Sequence, residues 1–213
     1  MSFSLLAAVD LLGTVAFALS GAWIAIEKRM DLFGVNMLAV TTACGGGVLR
    51  DTLIGSVPPA MFRNPLYVAA ALATANIVFL LAARHRHIPK AAAPLYEGLL
   101  FWADTLGLAA FTVDGVTVGL GAGYGQNAFL LVFLGFITGV GGGVLRDVLA
   151  GRIPDIFRHH VYAVASIAGA LLMTLLLSVA GEWRALAAGF LAVVLLRVFA
   201  ARFRWNLPRV EDP

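Results

Sequence analysis

Seven blocks of predominantly apolar residues, at 5–26, 33–57, 65–83, 95–120, 127–150, 161–180 and 183–200, make up most of this chain. Each approaches the roughly 20 residues that a helix needs to cross a bilayer. Of the 213 residues 61% are hydrophobic and 13% charged, and a soluble domain of this size has no interior that would hide them. The expected fold is therefore an all-α membrane protein with seven transmembrane helices. No Lys or Arg precedes the first block and no A-x-A-like site follows it, so it is expected to stay as a helix rather than act as a cleaved signal. Cys44 is the only cysteine, which excludes an intrachain disulfide.

The blocks are not independent. Gly45-Gly46-Gly47-Val48-Leu49-Arg50-Asp51 recurs unchanged as Gly141-Gly142-Gly143-Val144-Leu145-Arg146-Asp147. Upstream, Asp10, Gly13, Phe17 and Gly21 match Asp104, Gly107, Phe111 and Gly115. Downstream, Gly55, Pro58, Phe62 and Tyr67 match Gly151, Pro154, Phe157 and Tyr162. Each copy covers three blocks, an odd number, so the second copy must enter the membrane from the opposite side. Such an inverted repeat, with its pseudo-twofold axis in the membrane plane, is an arrangement of transport proteins. The expected segments are a first three-helix repeat at 1–84, a basic connector at 85–94, an inverted second repeat at 95–180, and a seventh helix with its tail at 181–213. That seventh helix has no repeat partner; it either covers the bundle or completes an oligomer contact.

Charge supplies an orientation. Lys28, Arg29, Arg84, Arg86, Lys90, Arg146, Arg152, Arg158, Arg197, Arg202, Arg204 and Arg209 fall on the side shared by the first, third and fifth connections and the C-terminus. Only Arg50, Arg63 and Arg184 fall on the other side. The positive-inside rule then predicts a cytoplasmic C-terminus and an N-terminus outside. The net charge of +3 reads as a basic face beside anionic lipid, and no nucleic-acid partner is expected. Thirteen arginines against two lysines suit a GC-rich bacterial genome, hence a bacterial plasma (inner) membrane.

The residues able to carry chemistry lie in the repeat. Three consecutive glycines, Gly45–Gly47 and again Gly141–Gly143, weaken or bend a helix and can expose carbonyl oxygens to a passing cation or solute. The plainer alternative is close helix packing. Arg50, Asp51, Arg146 and Asp147 are charges within spans, costing at least about 2.5 kcal/mol each at the bilayer centre, so they must be paired or face water. They form either a polar constriction or gate, or a network that locks the halves together. Neighbouring helix positions point about 100° apart, which favours partners across the repeat interface in addition to the adjacent residue. Asp10, Gly13, Phe17 and Gly21 share one face of the first span, and Asp104, Gly107, Phe111 and Gly115 the same face of the fourth. Asp114 stands where the first repeat has Ser20, so Asp10, Ser20, Asp104 and Asp114 are candidates for a cation route or for fixed hydrogen bonds. Small residues such as Ala16, Ser20, Gly135 and Gly139 suit close contacts within or between protomers. His85, His87, His159 and His160 lack acidic or cysteine partners at ligand spacing and read as interfacial, so no metal site is expected. With no nucleophile elbow, Walker sequence or HExxH, no catalytic residue is expected either.

The glycine triplet, two further residues and Arg-Asp, occurring twice in a seven-span chain of this length, resembles the prokaryotic trimeric intracellular cation channel (TRIC) family from Asp10 to about Ala200. The resemblance implies a homotrimer with a pore in each protomer that passes K⁺ and Na⁺ passively. It also implies that the second and fifth helices bend at Gly45–Gly47 and Gly141–Gly143 and line the pore, with Arg50, Asp51, Arg146 and Asp147 nearby. No cofactor is expected beyond permeant K⁺ or Na⁺ and bound lipid. The same domain has been labelled a glycine transporter, which leaves a secondary carrier of a small amino acid as the alternative. A purely structural scaffold would leave the buried charges without a function.

Overall fold

The computed structural model describes residues 3–84, 93–158 and 161–205. The connector from Arg84 to Lys90, with His85 and His87, falls beyond Arg84 outside the described residues, as do His159, His160 and Arg209. The described chain forms α1 (Phe3–Glu27), α2 (Leu32–Leu53), α3 (Ala60–Arg63), α4 (Leu66–Arg84), α5 (Ala93–Gly121), α6 (Ala128–Leu149), α7 (Asp155–Arg158), α8 (Val161–Ala180) and α9 (Glu182–Phe203). Seven of these helices are long and apolar enough to cross a membrane, as the blocks predict. The two short ones, α3 and α7, follow the glycine-bearing helices and are not legible as apolar blocks.

The middle helix of each half starts and stops by the same device. The side chain of Asp31 accepts from Gly34 N at 2.8 Å, and that of Asn127 from Leu130 N at 3.0 Å, capping donors that the first turn leaves free. At the other end Gly55 and Gly151 take φ of +70° and +64°, a conformation that glycine adopts without strain. This is why α2 stops at Leu53 although the apolar block runs on to Val57.

The halves dock antiparallel. An added Cβ on Gly46 would strike the carbonyl oxygen of Thr138, and one on Gly142 that of Thr42. Between α1 and α5, Gly13 makes room for Phe111 and Gly107 for Phe17, and the two rings meet edge-to-face with centroids 5.2 Å apart. In each case the partner number falls as the residue number rises, so the crossing helices run in opposite directions. The exchange of equivalent residues is what a twofold axis generates. Arg152 lies 3.9 Å from Glu27, which puts the α1–α2 and α6–α7 connections at the same end of the bundle. The small residues are used inside the chain: Gly135 and Gly139 pack against Thr112, Ala170 and Ser166, and Ser20 is fully buried.

The unpartnered helix α9 lies along α8 and α5. Gly169 and Gly189 let α8 and α9 approach until each would-be Cβ stands 2.9 Å from the other's carbonyl oxygen. It therefore covers the second repeat. Among the described residues helix α4 has no such cover and buries only Ala71 and Ala75.

Candidate functional site

Both Arg-Asp pairs sit in the last turn of their helices, Arg50 on α2 and Arg146 on α6. At a rise of about 1.5 Å per residue, Arg50 is only about 4.5 Å from the end of its helix. Because α2 and α6 are antiparallel, the two clusters lie towards opposite ends of the bundle.

Each arginine pairs with its neighbour and also across the repeat interface. Arg50 Nε donates to Asp51 Oδ1 at 2.8 Å, while its Nη1 pairs with Asp114 on α5. Arg146 Nε donates to Asp147 Oδ1 at 2.9 Å, and its Nη1 to Ser20 Oγ on α1 at 2.6 Å and to Asp104 Oδ1 at 3.0 Å. Asp114 and Ser20 are equivalent positions, so one contact has been drawn twice with different chemistry. The aspartates also accept from backbone amides, Asp51 from Ala60 N at 2.7 Å and Asp147 from Asp155 N at 3.0 Å. Those amides open α3 and α7, so the Asp of each motif ties down the segment after its helix.

The two clusters differ in what surrounds them. At the first, a half-open cavity of about 50 Å³ lies among Asp10, Thr14, Arg50, Asp51, Tyr67 and Asp114, with Cys44, Gly47 and Thr138 also on its wall. That is room for a few waters or a partly hydrated monovalent ion. Tyr67 and Asp10 share the wall of this cavity. At the second, Asp104 receives Arg146, Arg197 Nη2 at 3.1 Å and the Tyr162 hydroxyl at 3.4 Å. The Arg146 side chain is 2% exposed there, against 7% for Arg50 at the first cluster.

Of the residues singled out in the sequence, Asp10, Gly47, Arg50, Asp51 and Asp114 are brought together at the first cluster, and Ser20, Asp104, Arg146 and Asp147 at the second. The first two glycines of each triplet do something else. Gly45 and Gly46 contact Leu145 and Thr138, and Gly141 and Gly142 contact Leu49, Gly46, Thr42 and Phe17, so the packing alternative accounts for them. An added Cβ on Gly47 would meet only Arg50 Nη2, at 3.6 Å, and one on Gly143 the Tyr162 hydroxyl at 3.2 Å and Arg146 Nη2 at 3.9 Å. Both helices continue unbroken through the triplets, so the carbonyls there stay in helix hydrogen bonding. Sequence reasoning gives no role to Tyr67, Tyr162 or Arg197. The tyrosines share one register of the repeat, and Arg197 is a charge within the seventh span; both signals are present in the sequence. The charge count puts Arg197 on the basic face, but its side chain is 12% exposed and points inward to Asp104. Among the described residues no group of three or more His, Cys, Asp or Glu is arranged to hold a metal ion.

Two antiparallel three-helix repeats with a polar cluster between them define a transport-type membrane protein. More particularly, the chain belongs to the family described as Glycine transporter, whose model matches residues 7–83 and 101–178, the stretches occupied by the two repeats. A UPF0126 membrane protein of Deinococcus radiodurans is 38% identical over 199 residues, covering 92% of this chain and 87% of the relative. The UPF0126 inner membrane protein YadS of Escherichia coli is 36% identical over 203 residues, covering 94% and 93%. Among solved structures, the TRIC trimeric intracellular cation channel orthologue from Rhodobacter sphaeroides superposes with a TM-score of 0.85 at 32% identity, covering 95% of this chain and all of that one. A structure described as a basis for conductance through TRIC cation channels gives 0.84 at 32% identity, covering 100% and 99%.

Proposed function

We propose that this protein is a passive channel for monovalent cations, K⁺ and also Na⁺, working in a bacterial inner membrane as a homotrimer with a pore inside each protomer. The observation that carries this reading is the polar cavity at Asp10, Arg50, Asp51 and Asp114, beside the first glycine triplet. Three carboxyl groups there outnumber one guanidinium, so Arg50 does not present an unpaired positive charge to an entering cation. The likeness to solved cation channels and an inner membrane relative support the rest. In this reading α2 and α6 line the route with the faces bearing Gly47 and Gly143, and the N-terminus is outside. The repeats at 1–84 and 95–180 form the pore, the connector at 85–94 meets lipid, and the segment at 181–213 completes the second half.

The family's description favours a second reading, a secondary carrier of glycine or a similar small amino acid. Purified protein in a planar bilayer under a K⁺ gradient separates the two. The channel gives discrete current steps reversing near the K⁺ potential; the carrier gives saturable, glycine-dependent flux and no steps. Replacing Asp10 by Asn should lower K⁺ conductance severalfold while leaving folding intact, and unchanged conductance would remove Asp10 from the route.

Cys44 offers a further check, being the only cysteine and lying on the cavity wall. Ag⁺, a thiol-reactive monovalent cation, should block the current irreversibly, and Cys44→Ser should abolish the block. Block that persists in Cys44→Ser would place the conducting path elsewhere.

A further inference from the structure

The near-symmetry of the halves makes their one large difference informative. Asp10 and Tyr67 stand at an open cavity, while their equivalents Asp104 and Tyr162 hold a cation supplied by the chain itself. The Arg197 guanidinium lies 3.1 Å from Asp104 Oδ2 and 4.7 Å from the centroid of the Tyr162 ring, with the Phe101 ring at 5.2 Å on α5. A carboxylate at one side and aromatic faces at others are the surroundings in which a desolvated organic monovalent cation is held. Arg197 comes from α9, the helix with no repeat counterpart. Its Nε is buried and has no hydrogen-bond partner among the described residues, so the carboxylate and the rings are what hold the head group.

We propose that Arg197 is a tethered occupant of a monovalent-cation site built by Asp104, Tyr162 and Phe101, and that removing its side chain leaves a site for a free guanidinium-type cation. The seventh helix thereby makes the ends of a near-symmetric bundle unequal: one end keeps its cavity, and the other is filled from within. This goes beyond the channel reading and stands apart from it, since it concerns binding at the end away from the cavity.

The test uses purified full-length protein and its thermal unfolding midpoint. Arg197→Ala should unfold at lower temperature than the parent. Millimolar methylguanidinium should restore most of that loss, whereas N-methylurea, neutral and similar in shape, should not. The double variant Asp104→Asn with Arg197→Ala lacks the carboxylate and should not respond to methylguanidinium. If Arg197→Ala alone cannot be recovered folded, recovery of the double variant in folded form supports the proposal, because Arg197 then serves to neutralise Asp104. Equal restoration by N-methylurea, no restoration by either compound, or failure of both variants to fold overturns it. K⁺ conductance of the parent tests the channel reading separately, so the two can fail independently.

Discussion

Gly46→Ala and Gly142→Ala should each prevent the two repeats from docking, destabilising the protein by about 3 kcal/mol or more. The added methyl group would meet the backbone carbonyl of Thr138 or Thr42, and a carbonyl in the middle of a helix cannot rotate aside as a side chain can. The helices α2 and α6 would have to separate along their whole crossing, opening the contacts of Phe17 with Gly142 and Gly107 as well. Gly47→Ala is the control, since its Cβ would meet nothing nearer than Arg50 Nη2 at 3.6 Å. Thermal unfolding in detergent, read together with size-exclusion profile, should show the first two variants aggregating and the third near the parent. If Gly47→Ala lost as much stability as Gly46→Ala, close packing would not be the reason for the triplet.

Arg146→Met should be far more damaging to stability than Arg50→Met. Removing one partner from a buried ion-pair cluster leaves charges uncompensated and typically destabilises by about 3–5 kcal/mol. Arg146 is 2% exposed and pairs with Asp104 and Asp147, themselves 6% and 1% exposed, so its loss takes a guanidinium from two carboxylates where water has little access. Arg197 still holds Asp104, whereas the Asp147 carboxylate keeps the Asp155 amide in place of a second guanidinium. Arg50 borders the cavity, and water entering there can solvate Asp51 and Asp114 once the guanidinium is gone. Its replacement should lower stability by about 1–3 kcal/mol and act mainly on conductance. Comparable unfolding midpoints for the two variants would mean that the difference in solvent access between the clusters has no energetic consequence.

Several elements are legible in the sequence for reasons that are local. The spans are readable because a bilayer forces each crossing to close its own backbone hydrogen bonds within one apolar helix. The docking of the halves is readable because a seven-residue identity in odd-numbered repeats leaves only antiparallel packing, and Gly13, Phe17, Gly107 and Phe111 then interlock as one repeated face. The glycine triplets are ambiguous, since a missing side chain serves a bend and a close contact equally well; only the position of the Thr42 and Thr138 carbonyls separates Gly46 and Gly142 from Gly47 and Gly143. Hydropathy alone does not place Arg50 in the last turn of its helix, because Gly55 at φ +70° ends α2 inside its apolar block.

From its sequence alone this chain was bound to be a seven-helix membrane protein made of two opposed halves, because hydropathy and repetition are carried by neighbours along the chain. The folded molecule decided which charges meet. Arg50 reaches Asp114 across 64 positions and Arg197 reaches Asp104 across 93, distances over which no sequence pattern sets a partner. Helix docking sets it, and docking gave the almost identical clusters different neighbours: Asp114 and open space at one, Ser20 and the head group of Arg197 at the other.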